Sequence, residues 1–184
     1  MRSFWLSPRS FPAIVFVLLA VAGMCAAQTR SDNPDPAESF YLMTRAAPAA
    51  FTDGETAKAG ALAEQLLKDA ESWKQNWNYG NATHAANIVL GRIALKTGET
   101  DEAKKFLLAA GKTPGSAQLN TFGPDMTLAK DLLEKGERDV VIEYLALCSK
   151  FWGKHHQAKI DNWTSEVKAG VIPHFGANLK YLGF

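Results

Sequence analysis

The chain has 184 residues, 20 basic and 19 acidic side chains, a formal net charge of +1 and two cysteines. Charge this close to balance, with no run of lysine and arginine, leaves no electrostatic footprint for nucleic acid. Two cysteines exclude a disulfide-stapled scaffold, so the fold must be held by packing.

The N-terminus reads as an address. Arg2 and Arg9 form a positive region, Phe11 to Ala22 is an apolar run, and Cys25-Ala26-Ala27 supplies small residues for a signal peptidase. Cleavage is placed after Ala27, so residues 1–27 are a signal peptide, and the expected destination is the periplasm or the exterior. The run is too short to span a bilayer, so no membrane span is expected after cleavage. Acylation of Cys25 in a lipoprotein is the alternative, disfavoured by bulky Met24 before it. Cleavage removes two arginines and no acid, taking the net charge from +1 to −1. It leaves Cys148 alone, with no intramolecular partner.

Residues 28–35 are polar and proline-bearing and read as a disordered leader. Asp35-Pro36 then opens a first helix, with the aspartate as N-cap and the proline in the first turn. That helix is expected to end or kink at Pro48. After the turn at Thr52-Asp53-Gly54, a long second helix is expected to about Trp77, on the helical spacing of Ala61, Leu62, Gln65, Leu66, Ala70 and Trp73. A third helix runs from Ala82 to Lys96 and a fourth from Thr100-Asp101 to about Ala110. Gly111 to Pro124 reads as irregular. A fifth helix is expected from Pro124 to Gly136, a sixth to Trp152, and an amphipathic seventh from His155 to Lys168. Residues 171–184 form an apolar tail packed on a helical domain of residues 36–170. No alternating strand pattern occurs, so the fold class is all-α.

Two stretches match. Leu90-Gly91-Arg92 leads through Leu95 to Gly98 and on to Ala103, Phe106, Leu107 and Ala110. Leu128-Ala129-Lys130 leads through Leu132 and Leu133 to Gly136 and on to Val141, Ile142, Leu145 and Cys148. Each is helix, glycine turn, helix. Leu90-Gly91, Gly98, Asp101-Glu102-Ala103, Leu107, Ala110 and Pro114 resemble the tetratricopeptide repeat. The likeness is good over residues 84–115, partial over 122–150 and weak over 40–70. The turn glycines Gly54, Gly98 and Gly136 are spaced 44 and 38 residues apart, not the ~34 of a regular array. The resemblance therefore implies a short irregular solenoid of about three helical hairpins, with the seventh helix as a C-terminal cap. Lys112 to Met126 and the surroundings of Trp152 are also similar to exported bacterial proteins to which no activity attaches.

The resemblance implies a groove lined by the first helix of each hairpin. It places Tyr41, Thr44 and Phe51 there from the first hairpin, and Ala85, Ile88, Arg92, Leu95 and Lys96 from the second. The third gives Met126, Lys130, Leu133 and Glu134. Arg92, Lys96 and Lys130 could clamp a carboxylate, since a guanidinium binds one bidentately. Solvated lysines and a snorkelling arginine are the simpler reading.

Asn81, His84 and Asn87 share a helical face and form a possible polar site. They could bind a ligand or supply a base with orienting amides; a buried hydrogen-bonded cluster is the preferred reading, because no nucleophile stands beside His84. Gly111-Lys112-Thr113 has the ending of a phosphate loop but lacks the upstream glycine, where Phe106 stands, and trails a helix. His155 and His156 are adjacent, so they point about 100° apart and cannot share a metal. No cofactor, metal or catalytic constellation is expected. Asn81-Ala82-Thr83 and Asn162-Trp163-Thr164 match glycosylation sequons, both on expected helices. The expected function is an exported, non-catalytic scaffold presenting its groove to a protein or peptide. The alternative is a small-molecule binder of the cell envelope, with a pocket near Trp77, Tyr79, His84 and the 111–124 loop.

Overall fold

The computed structural model describes residues 35–179. The expected signal peptide at 1–27, all of the expected leader but Asp35, and the part of the expected tail beyond Leu179 lie outside the described residues. Within them the chain is all-α, with seven helices and one 3-10 turn: α1 Pro36–Thr52, α2 Thr56–Ala70, α3 Tyr79–Lys96, α4 Thr100–Gly111, α5 Ala117–Phe122, α6 Thr127–Glu134, α7 Arg138–Lys168 and the turn Gly176–Leu179. No helix among the described residues is long and apolar enough to cross a membrane.

The Asp35 side chain caps α1, accepting the Ala37 N–H at 3.2 Å. The helix does not stop at Ala47 but continues through Pro48 to Thr52. A proline inside a helix costs a hydrogen bond, yet its fixed φ is helical. Here Pro48 is buried with Phe40, Thr44, Ala47 and Ala50, and packing of that face outweighs the missing donor. The Thr52 hydroxyl also donates to the Pro48 carbonyl at 3.0 Å.

Helix α2 ends at Ala70, short of the expected Trp77. The apolar spacing continues, but the residues between the tryptophans are polar, and Asn76 accepts the Asn78 N–H on its own side chain at 2.8 Å. Such local bonds compete with the helical ladder and turn the backbone. The turn separates the two rings: Trp73 stacks on Phe40 at 6.0 Å, while Trp77 leans on Tyr41 at 5.5 Å and is 62% exposed.

Three helix ends are built alike. Gly54, Gly98 and Gly136 have φ of 83°, 88° and 84°. Each donates to the carbonyl three residues back, and the glutamate after it (Glu55, Glu99, Glu137) donates five residues back, to Ala50, Ala94 and Leu132. This doubly bonded Schellman ending needs the left-handed conformation that glycine adopts without strain. A Cβ at any of the three would meet open space, so φ alone calls for glycine. Across these turns α1 packs on α2, α3 on α4 and α6 on α7.

Helix α3 is the hub, touching α1, α2, α4, α5 and α6. It is buried on nearly every side from Gly80 to Gly91, as expected of a helix with no solvent face. One core lies between α1, α2 and α3, where seven of eleven buried residues are alanine. The other spans α3, α4, α6, α7 and the tail around Tyr144, Trp152, Trp163 and Phe175.

The sequence expects separate helices on either side of Gly153. The structure agrees: α7 is two helices run together across a break in helical backbone at His156 (φ −130°, ψ 16°), three residues past that glycine. Gly153 sits one turn before the bend, a common cause of helix kinks. The bend brings Trp152 and Trp163 within 5.7 Å, and Phe175 of the tail meets Trp163 edge-on at 5.0 Å. Buried Asn178 then ties the tail to the α5–α6 junction. It donates to the Phe122 and Pro124 carbonyls at 3.1 and 2.9 Å, and its own carbonyl accepts the Met126 N–H at 2.8 Å.

Candidate functional site

Two places answer the sequence expectations: a polar cluster at the start of α3, and a cleft between α1, α3 and α6.

The cluster begins where α3 meets the segment after α4. Gly80 allows that approach, since a Cβ there would lie 1.9 Å from the Gly115 carbonyl oxygen. Asn81 uses both ends of its amide. It donates to Asn78 Oδ1 at 3.1 Å and to Gln118 Oε1, and accepts from the Ser116 hydroxyl at 2.5 Å. Asn78 in turn donates to Thr44 Oγ1 at 2.8 Å, which joins α1 to the network. Asn87 donates to the Thr83 carbonyl at 2.7 Å. Thr113 donates to the Gly80 carbonyl at 2.9 Å. The 112–122 segment therefore packs on the start of α3 through Thr113, Ser116 and Gln118, and α5 replaces part of the expected irregular stretch. Its Ser116 caps α5 by accepting the Leu119 N–H at 3.0 Å.

His84 is 2% exposed. Its Nδ1 donates to the Ala110 carbonyl at 3.1 Å, and its Nε2 accepts the Asp125 N–H at 3.0 Å. These partners assign the neutral tautomer with the proton on Nδ1. Burial lowers the His84 pKa, against the pull of Asp125. Both ring nitrogens are committed to backbone, so the ring has no nitrogen left with which to take a proton from a substrate. Asn81 and Asn87 share its helix but make no hydrogen bond to it; their amides bond to Asn78, Gln118, Ser116 and Thr83 instead.

Asp125 is fixed from every backbone direction. Its N–H goes to His84, its carbonyl accepts the Tyr144 hydroxyl at 2.8 Å, and its Oδ1 accepts the Thr127 N–H at 2.7 Å, starting α6. Burial raises the Asp125 carboxyl pKa; Thr127, His84 and Arg92 oppose that shift without cancelling it. Burial likewise raises the Tyr144 phenol and the Cys148 thiol, which keeps buried Cys148 in the un-ionised form.

The cleft has an enclosed part and an open part. The enclosed pocket, about 70 Å³, lies between Pro48 and Phe51 of α1, Ile88 and Arg92 of α3, and Asp125 and Thr127 at the start of α6. The open part, about 540 Å³, shares Phe51 and Arg92 and continues over Leu95, Lys96, Asp131 and Lys135. Arg92 stands where the two parts meet. Its Nε donates to Asp131 at 2.8 Å, and its guanidinium lies 4.7 Å above the Phe51 ring.

Ile88, Arg92 and Lys96 line this cleft, as do Phe51, Leu95 and Glu134. Six expected positions do not: Thr44, Ala85 and Leu133 are buried away from it, and Met126, Lys130 and Tyr41 are engaged elsewhere. Met126 is fully buried, because its N–H is tied to Asn178 and its side chain enters the core. Lys130 pairs with Glu134 one turn along α6. Tyr41 stands apart against Trp77. The three-cation clamp is not assembled: Arg92 is engaged by Asp131, Lys130 by Glu134, and Lys96 donates to Thr56 of α2 at 3.1 Å.

The sequence reading missed Asp125, Thr127, Asp131 and Lys135. The last three recur every fourth residue on one flank of α6, beside the buried stripe of Leu128, Ala129, Leu132 and Leu133. The expected face was one residue out of register, a rotation of about 100°. Among the described residues no group of three His, Cys, Asp or Glu side chains converges to hold a metal ion. Comparison with protein-family models, with curated proteins and with solved structures finds no match.

Proposed function

We propose that this chain is a non-catalytic binding scaffold that holds a protein or peptide segment in the cleft between α1, α3 and α6. The supporting observation is the cleft itself. Its walls come from the first helix of each of three helix pairs joined by the same Schellman turn. Paired helices stacked in this way form a short irregular solenoid, and the tetratricopeptide-like residues of 84–115 agree with it. The lining mixes apolar Phe51 and Leu95 with Arg92, Lys96, Asp131 and Lys135, as a peptide-binding surface does. His84, the single candidate base, is held by backbone on both nitrogens, which favours binding over catalysis. The composition of residues 1–27 supports export, so the partner is sought in the cell envelope or outside the cell.

A photo-cross-linking amino acid at Leu95 or Lys135 tests this in the living host. Expected is a discrete adduct from both cleft positions and none from exposed Lys105 on α4. Equal adducts from all three positions, or none from the cleft, would overturn the reading.

A further inference from the structure

The near balance of charge over the whole chain hides an uneven distribution. None of the 19 acidic residues falls in residues 106–124, 144–160 or 167–184. The first stretch is most of α4 with the 112–122 segment, the second crosses the break of α7 at His156, and the third is the end of α7 and the tail. The fold brings them together. A Cβ on Gly111 would lie 3.0 Å from Leu147 of α7, and one on Gly115 would lie 2.7 Å from Phe151. Asn178 of the tail donates to the Phe122 carbonyl and accepts the Lys159 ammonium at 3.3 Å.

Lys112, Lys150, Lys154 and Lys159 stand exposed on these joined stretches. Among the described residues none of the four pairs with a carboxylate, whereas Lys58, Lys74, Lys104, Lys105 and Lys130 all do. The carboxylate nearest in the chain, Asp161, accepts from Gln157 at 2.8 Å. Lys159 lies over the Trp163 ring at 4.8 Å, which leaves its charge in place. Phe122, tied to Lys159 through Asn178, is 48% exposed.

We infer that this face adsorbs to a membrane surface bearing anionic phospholipid headgroups, with the four lysines over the phosphate layer and the Phe122 ring at its boundary. The face shares no lining residue with the cleft, so the inference stands independently of the scaffold reading. Charge complementarity carries it. Each lysine near an anionic bilayer is worth roughly fivefold in partition, so four together give reversible adsorption. The three stretches contain no arginine. A fixed carboxylate or phosphate favours the planar arginine fork, whereas point charges on flexible stems suit headgroups that move laterally to meet them. A folded acidic protein or a nucleic acid would have to match the positions of four scattered lysines. Neither would use the Phe122 ring, which is favourable at the boundary between headgroups and acyl chains.

The test sediments the chain, as purified from its host, with two kinds of vesicle. One is phosphatidylglycerol and phosphatidylcholine in equal parts; the other, phosphatidylcholine alone, reports any adsorption through apolar residues 11–22. Expected is a partition at least about tenfold stronger to the mixed vesicles, lost near about 0.5 M salt. Lys150→Gln with Lys154→Gln should weaken it about tenfold or more. Lys58→Gln with Lys105→Gln removes the same charge from exposed positions paired with glutamate, and should weaken it less than about twofold. Phe122→Ser should weaken it about threefold. All four lysines are exposed, so folding is not at stake. Equal partition to both vesicles, no partition to either, or equal loss from both lysine pairs would overturn the inference. Soluble polyglutamate bound as tightly as the mixed vesicles, and released by the Lys150 and Lys154 substitutions, would assign the face to an acidic polymer and overturn the membrane.

Discussion

The two cores of this protein solve one packing problem with opposite materials. Between α1, α2 and α3 the buried residues are mostly alanine, with Phe40 and Leu66 as the large exceptions. Small side chains let helix backbones approach closely, and the apolar area per residue is modest. Between α4, α6, α7 and the tail the helices stand around Tyr144, Trp152, Trp163 and Phe175. Aromatic rings each bury a large area and fix neighbours through their edges and faces. The alanine core therefore has no room for added atoms, while the aromatic core depends on the atoms it has. The second core alone holds the buried histidine and aspartate that shape the pocket.

The comparison breaks most readily at Trp163. It is 3% exposed and touches both Trp152 and Phe175. Trp163→Ala should lower unfolding free energy by about 3–5 kcal/mol in urea denaturation. A loss below about 1 kcal/mol would show that the aromatic core is not what holds the C-terminal half. The opposite change probes the other core. Ala63 is fully buried on α2, and Ala63→Leu should cost about 1–3 kcal/mol by overpacking. A neutral or stabilising result would mean the alanine core has slack.

The smallest effect separates the cores by pH. His84 has a folded-state pKa below its ordinary 6.5, chiefly through burial. The unfolded chain then binds a proton near pH 6.5 that the folded chain refuses. The stability from neutral His84 is complete above about pH 6.5 and declines as pH falls toward the folded pKa. Hydrogen exchange at pH 7 and pH 5.5 should therefore show faster opening around Ala110 and Asp125 at the lower pH. The α1–α2 core, which has no buried titratable side chain, should change little. Uniform change across both cores would contradict this assignment.

The helical class was legible because local signals and tertiary packing agree over most of the chain. Gly54, Gly98 and Gly136 announced three helix ends, and each is the same doubly bonded turn. Reading failed where side chains act on backbone at a distance. Nothing around Pro48 tells that its helix face is buried deeply enough to carry a proline. The tryptophan spacing after Ala70 looks helical until Asn76 and Asn78 take over the local hydrogen bonds. In the cleft, the α3 positions Ile88, Arg92, Leu95 and Lys96 were readable through the tetratricopeptide resemblance, which is good over residues 84–115. Of the expected α6 positions only Glu134 lines it. The start of that helix is set by Asp125 and by Asn178, which accepts the N–H of Met126 from 52 residues downstream of it, and a start displaced by one residue turns the whole face.

Asn178 also orders events in time. A chain emerging residue by residue can close its α1–α2 and α3–α4 pairs from short-range contacts. The floor of the pocket cannot be finished then, because the Phe122 and Pro124 carbonyls and the Met126 N–H wait for an amide near the very end of the described chain. The pocket is thus completed only once Asn178 has been made, and a chain cut short before it would keep its paired helices and leave the pocket unfinished.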